Sequence, residues 1–341
     1  MAQTLTLTQE RVAPVAPHLE DAAVLEQLVK LVRETYLLWD EDWVGFSWRA
    51  YTHDHVRRVR NLALHLCLEE GGDTRPLDPG ATLHDITKSY DGDIIMKDGK
   101  RVIDEKGLWH NAYLPPARRN HVTDLYDQLG LRGQIHNLSG ARIADALLAE
   151  YGYPQALRDH VQEIIITHLT ISEHSSLEGR CLYDADTIDA NIGYPAFYRN
   201  IQISMHNLER QYAARGASLD DFLATSLQEY LEPYVREKLP AWVEGKRRDF
   251  VPKMTTASGK RRAEARLDRL DVEMVSMGRE LDTLAAALEA GRLAPAVYFM
   301  RNRRNPSVAA DLAMLMERWP AEEAAAAQFL ATLHRESAGV W

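Results

Sequence analysis

Six residues in this chain have the types and spacing to hold metal ions: His55, the adjacent pair His84-Asp85, His136, His168 and Asp186. Imidazole nitrogens combined with carboxylates suit Mn, Fe, Co, Ni or Zn, and a carboxylate can bridge two ions. His55, His84, Asp85 and Asp186 make one candidate site. Asp85, His136 and His168 make a second, with Asp85 shared. Two divalent ions about 3.5–4 Å apart lower the pKa of a shared water and clamp a phosphoryl group. Burying four histidines and two aspartates with no metal would leave polar and charged groups uncompensated at considerable cost.

The elements that must position these residues read as helices. On a helix, His55 continues into Val59, Leu62 and Leu66, an apolar inward stripe. His53 shares its face with Arg57 and Arg60, so His55 is the chosen ligand. His136 is followed by the small residues Gly140 and Ala144, which permit close helix approach. His168 closes a helix with Leu157, Val161, Ile164 and Ile165 inward. Leu182 lies one turn before Asp186.

Elsewhere, Leu25, Leu28, Val29, Val32 and Tyr36 mark a helix with Asp21 at its N-cap. A second helix is predicted over 52–70, stopping at Gly71-Gly72. A third starts near Asp78-Pro79, where proline suits a first turn. Further helices are predicted over 138–151, 155–168, 178–190 and 194–215. Beyond Ser218 the chain is helical again, including a long segment over 257–290 that carries Leu267, Leu270, Val275, Leu281 and Leu284. Residues 324–327 are a helix-favouring alanine run.

Residues 89–132 interrupt this rhythm. Within them 94–103 reads as a hairpin with Asp98-Gly99 at its tip. The expected fold is all-α: a loose arm over 1–20, a helical core over 21–218 with the 89–132 insertion near the site, and a helical extension over 219–341 packed on that core. The extension could dimerise the chain into a homo-oligomer, cap the site, or enlarge the core.

Composition narrows the function classes. The 341 residues are 45% hydrophobic and 26% charged, ordinary for a globular protein. Forty basic against fifty acidic side chains leave a net charge of −10, unsuited to wrapping a nucleic acid polymer. Two cysteines, Cys67 and Cys181, make no disulfide scaffold and fit a reducing, cytoplasmic home. No run reaches the ~18 apolar residues of a membrane span, and residues 1–20 do not read as a signal peptide. The chain has no Gly-rich P-loop, no Gly-x-Ser-x-Gly elbow and no paired Cys-x-x-Cys motifs.

At the six residues the sequence resembles the HD-domain metal-dependent phosphohydrolase superfamily, whose motif order is His … His-Asp … Asp. The segments 55–59, 83–88 and 177–190 carry the likeness, with Thr87 where glycine is usual. His136 and His168 match the two extra histidines of dinuclear members. Parts of 238–266 resemble the C-terminal helix of some small HD hydrolases, so the resemblance spans roughly 51–282. It implies a helical bundle with a divalent transition metal cofactor, two ions in dinuclear members. It also implies hydrolysis of a phosphoester or phosphoanhydride bond, often in a nucleotide or other small phosphorylated substrate, by a metal-activated water.

Lys88 matches the family's lysine after the His-Asp pair. It lies three residues from Asp85 and could meet a substrate phosphate, and Arg58 stands in the same relation to His55. Lys88, Arg58 and Asp85 are therefore the expected catalytic residues. Asp184 or Asp189 could orient a ligand histidine, and Asp184 is the second choice for the final metal ligand. His110, His121 and Arg118-Arg119 could reach the leaving group. The basic clusters at 246–248, 260–262 and 301–304 could touch nucleotide phosphates, although such runs are more often solvated faces.

The main alternative is an HD-fold mixed-valent diiron oxygenase acting on a small organic substrate, similar to myo-inositol oxygenase. The short connection of 18 residues between His168 and Asp186 favours the hydrolase. A nucleotide-sensing HD scaffold is a further alternative, disfavoured because no ligand is missing.

Overall fold

The structure, a computed structural model, describes residues 21–44, 47–103, 105, 108, 110–303, 307–320 and 325–339. The expected 1–20 arm lies outside them. Helix α1 (Ala22–Tyr36) buries Leu25, Leu28, Val32 and Tyr36, the predicted stripe, while Val29 stays exposed. A short strand pair, β1 (Trp43–Val44) and β2 (Ser47–Trp48), leads into α2 (Arg49–Glu70). Helix α2 ends where Gly71 takes φ +79°, a left-handed conformation that glycine adopts without a Cβ penalty.

Helix α3 (Thr74–Leu83) begins earlier than the Asp78-Pro79 signal suggests. Asp73 caps it, accepting the Arg75 N–H at 2.9 Å, and Pro76 takes the tolerated first-turn role. Pro79 is inside the helix instead.

The 89–132 insertion contains more structure than its composition announces. Strand β3 (Asp91–Ile94) pairs antiparallel with β6 (Asn111–Tyr113). Between them β4 (Met96–Lys97) and β5 (Lys100–Arg101) form the predicted hairpin, with Asp98 and Gly99 both at positive φ. Helix α4 (His121–Gln128) was not anticipated. Its signal is local: the Asn120 side chain accepts from Thr123 N–H at 3.2 Å, and Thr123 Oγ1 accepts the Asn120 N–H at 3.0 Å.

The next four helices match the predicted run: α5 (His136–Glu150), α6 (Gln155–Thr167), α7 (Leu177–Asn191) and α8 (Tyr194–Ala214). Then follow α9 (Leu219–Thr225), α10 (Leu227–Pro233), α11 (Leu239–Phe250), α12 (Ala257–Glu280), α13 (Leu284–Ala290), α14 (Leu293–Arg301), α15 (Val308–Arg318) and α16 (Ala325–Ser337). The long 257–290 helix is thus divided by a tight turn at Leu281–Thr283. Its inner face is Leu267, Leu270, Met274 and Met277, and Val275 is exposed because it lies one position off the heptad spacing.

Two hydrophobic clusters hold the site between them. One unites α1, α5 and the insertion through residues such as Leu28, Val32, Ile86, Val122 and Ile143. The other runs from Val59, Leu62 and Leu66 of α2 through Leu182 and Ile188 of α7 to Phe299, Phe329 and Leu333 near the C-terminus. Each fully buried Leu or Ile contributes about 1.5–3 kcal/mol of transfer free energy. The C-terminal helices therefore share the core of α2 and α7. The end of α16 also returns to α2, where Asn61 donates to Ala338 O at 2.8 Å and Arg57 to Ser337 O at 2.9 Å.

Candidate metal centre

The apolar faces that build these clusters also aim the six predicted residues at one another. His55 projects from α2 in line with Val59, Leu62 and Leu66 and is buried. His53, rejected at the sequence level, packs edge-on against Tyr36 instead, 5.8 Å between centroids. His84 and Asp85 sit in the turn after α3, both buried. That turn is pinned from two sides. Tyr36 donates its hydroxyl to Asp85 O at 2.9 Å, and Thr87 donates to His136 O at 3.0 Å. Gly140 lets α5 approach this turn, since a Cβ there would stand 3.2 Å from His84 O. His136 opens α5, His168 follows the last residue of α6, and Asp186 lies on α7.

Asp85 is the centre of the arrangement. Its Oδ2 lies 3.9 Å from His55 Nε2 and 3.8 Å from His84 Nε2. Its Oδ1 lies 3.4 Å from His136 Nε2 and 3.6 Å from His168 Nε2. Ligand atoms of His55, His84 and Asp85 all fall within 4.8 Å of one another, and so do those of Asp85, His136 and His168. Asp186 Oδ1 completes the first group, 2.9 Å from His55 Nε2 and 3.9 Å from His84 Nε2.

The hydrogen bonds behind the rings fix their tautomers. His84 Nδ1 donates to Ala81 O at 2.7 Å and His168 Nδ1 to Ile165 O at 2.5 Å. A carbonyl can only accept, so each Nδ1 carries the proton and each Nε2 presents a lone pair. Both Nε2 atoms and Asp85 Oδ1 are buried without a hydrogen-bond partner. Three orphaned lone-pair atoms converging in one place are what a divalent ion would satisfy, so the residues fit the metal that the sequence resemblance implies.

Burial and charge act against each other here. Burial pushes His84 down to about 4, keeping its ring neutral at physiological pH. Burial, reinforced by the Lys88 ammonium, also lowers His136. Burial alone would raise the Asp85 carboxyl, but Lys88 and the surrounding histidines outweigh it and hold Asp85 well below the usual range. His55 goes the other way. Burial opposes its charge, yet the Asp186 and Asp189 carboxylates raise it to about 9.

Asp189 takes the orienting role offered to Asp184 or Asp189. It accepts His55 Nδ1 at 2.7 Å. Asp184 turns away from the site and accepts Thr255 N–H and Thr256 N–H, both at 2.8 Å, anchoring the start of α12.

Arg58 departs from its expected catalytic position. Its guanidinium is buried and donates to Asp189 Oδ1 at 2.8 Å and Oδ2 at 3.0 Å. It stands behind His55, because three residues along α2 carry it off the cleft face toward α7. Lys88 remains at the cluster, with Nζ 3.1 Å from His136 Nε2.

Of the suggested leaving-group residues, only His110 borders a cavity beside Lys88 and His136. His121 is an exposed partner of Glu150, Arg118 of Asp40, and Arg119 of Asp124 and Asp127. Arg247 and Arg248 pair with neighbouring acids, as do Arg261 and Arg262 with Glu69. Arg303 bridges Glu209 and Asp220.

Two features escaped the sequence reading. Asp91, at the start of β3, accepts His136 Nδ1 at 2.9 Å, and no periodicity in the insertion singled it out. Lys246 and Arg199 line the cleft together with His55, Asp85, His136, His168 and Asp186, around a cavity of about 610 Å³. In the sequence Lys246 is one member of the basic run 246–248.

The HD-domain family model matches residues 52–191, which hold all six residues. The chain carries an HD domain. HD domains bind divalent metals. No curated protein matches the chain. Solved structures similar to it include YpgQ of Bacillus subtilis, at 18% identity over 76% of this chain and 95% of that one, TM-score 0.36. YpgQ in complex with ADP matches at 19% over 76% and 96%, TM-score 0.36. A crystal structure from an uncultured Thermotogales bacterium, described as a predicted HD superfamily hydrolase, matches at 24% over 63% and 92%, TM-score 0.35. The HD domain ends at Asn191, the last residue of α7, so Arg199 and Lys246 enter the cleft from outside it. No helix among the described residues is long and apolar enough to cross a membrane.

Proposed function

We propose that this chain is a phosphohydrolase that cleaves a phosphoester or phosphoanhydride bond in a small phosphorylated metabolite or nucleotide. His55, His84, Asp85 and Asp186 would hold one divalent ion, and Asp85, His136 and His168 a second. The observation that carries this reading is Asp85, whose two oxygens face two separate pairs of histidines. When bound, such ions supply Lewis acidity toward a phosphoryl oxygen and a water made nucleophilic at neutral pH.

The protein's own groups do the rest. Asp189, backed by Arg58, holds the His55 ring from behind, and Asp91 does the same for His136. Main-chain carbonyls lock His84 and His168 in the tautomer that leaves Nε2 available. Lys88 places a positive charge at the cleft edge of the cluster, where it would balance charge gathering on phosphoryl oxygens.

The test is phosphate or pyrophosphate release from a panel of nucleotides and phosphoesters, with Mn, Co, Ni, Fe or Zn supplied in turn. We expect turnover with at least one ion. Lys88→Gln should lower kcat by about 10²–10³-fold, as for loss of one preorganised charge partner. A protein that binds its ions yet releases nothing from any phosphorylated compound would refute the proposal.

A further inference from the structure

The cleft has a second cationic end. Lys246 on α11 and Arg199 on α8 line the same cavity as the metal-ligand cluster. They come from helices distant in sequence and outside the HD domain. In a chain of net charge −10, a paired cation site inside a cavity is a local exception.

Lys246 is held with care. Its ammonium lies 4.6 Å from the centre of the Phe250 ring and 5.3 Å from that of Trp242, and it donates to Asn191 Oδ1 at 3.2 Å. Asn191 is itself fixed, donating to Thr187 O at 3.2 Å. Arg199 lies over Tyr51, 5.1 Å from the ring centre, and donates to Ala190 O.

Neither arrangement neutralises Lys246. Aromatic faces and an amide oxygen attract a cation but carry no formal charge. Among the described residues no carboxylate forms an ion pair with it, whereas Arg247 and Arg248 beside it are both paired. Burial and then the Arg199 charge push it down to about 8, and the more distant Asp249 carboxylate, itself paired with Arg248, offsets this only in part. A like charge in the same cavity disfavours the charged form of a lysine unless an anion offsets it. A lysine also has three donors, of which Asn191 takes one.

We propose that Lys246 and Arg199 form a second anion site in the cleft, so that the preferred substrate carries a further phosphoryl group beyond the one at the metal-ligand cluster. Such a substrate is a small molecule with a phosphoanhydride chain or two separate phosphates, in preference to a monophosphate. The proposal rests on the phosphohydrolase reading above. It assigns substrate selection to helices α8 and α11, while the cluster and Lys88 handle the reacting phosphoryl.

Calorimetric titration of the full chain, loaded with Mn²⁺, tests this. The probes are methylphosphonate and bis(methylene)triphosphonate, whose P–C bonds resist hydrolysis. Free Mn²⁺ is kept equal in cell and syringe. Wild type should bind the triphosphonate at least tenfold more tightly. Lys246→Gln should reduce that preference by about tenfold, as for loss of one charge-assisted contact, and leave methylphosphonate within twofold. Lys246→Arg should retain most of the preference, and the melting temperatures of both variants report whether the fold persists. An unchanged preference in Lys246→Gln overturns the proposal. Equal weakening of both probes does so too, because it reports only a long-range field. If wild type binds methylphosphonate but shows no preference, the second site fails and the phosphohydrolase reading stands. If wild type binds neither probe, both fail.

Discussion

Replacing Asp189 with asparagine separates positioning of the metal centre from ligation of it. Asp189 is buried and accepts three bonds: His55 Nδ1 at 2.7 Å, Arg58 Nε at 2.8 Å and Arg58 Nη2 at 3.0 Å. Asparagine keeps the shape but removes the charge, leaving the buried Arg58 guanidinium uncompensated. Breaking a buried pair in this way costs about 3–5 kcal/mol. Because one carbonyl oxygen survives to accept a bond, the lower end is expected. His55 also loses the carboxylate that sets its ring, and loss of such a partner lowers metal affinity by about 10–100-fold. Urea denaturation reads the first quantity, and calorimetric titration with Mn²⁺ reads the second.

Asp184→Asn is the control. Asp184 is equally buried on the same helix but binds the Thr255 and Thr256 backbone instead of a ligand. It should lose about 1–3 kcal/mol of stability with no change in metal affinity. The reasoning is refuted if Asp189→Asn changes stability by under about 1 kcal/mol and metal affinity by under about twofold. It is equally refuted if Asp184→Asn weakens metal binding as much as Asp189→Asn.

Elemental analysis should find two ions per wild-type chain and about one in the double variant His136→Ala, His168→Ala, and an unchanged content would remove the second site. Gly259→Ala should cost about 1–3 kcal/mol in denaturation, because a Cβ there would run into the Asp184 carboxylate. Gly245→Ala, with nothing within 4 Å of its added Cβ, should be neutral or stabilising, and equal losses for the two would contradict the packing argument. The chelator-treated protein should be most stable near pH 6.5. His55 is raised to about 9, so its contribution is full below 6.5 and is lost as pH rises to about 9. His84 is lowered to about 4, so its contribution is full above 6.5 and is lost as pH falls to about 4. Asp186 and Asp189 are depressed below 3.8, so their stabilisation is present above that value and disappears as pH falls further. A stability profile that is flat between pH 4 and 9 would contradict this assignment.

Sequence alone determined which residues converge. Helical periodicity is a local property, and the apolar residues that follow His55 and precede His168 and Asp186 mark the face each ligand shares with the core. Helices that bury those faces against one another necessarily bring the ligands together. The order His … His-Asp … Asp added the family, and Asp98-Gly99 specified its hairpin because both residues tolerate positive φ.

Tertiary structure decided the partners. Arg58 and Asp189 are 131 residues apart, and only the packing of α2 against α7 makes them a pair, which removes Arg58 from the cleft. Asp91 became the support for His136 through a strand whose partner, β6, lies beyond a hairpin. Lys246 looked like one charge in a solvated run, yet its neighbours turned to acids while it entered the cavity. Periodicity encodes which face of an element is buried, but the charge opposite a given side chain depends on which distant elements meet there.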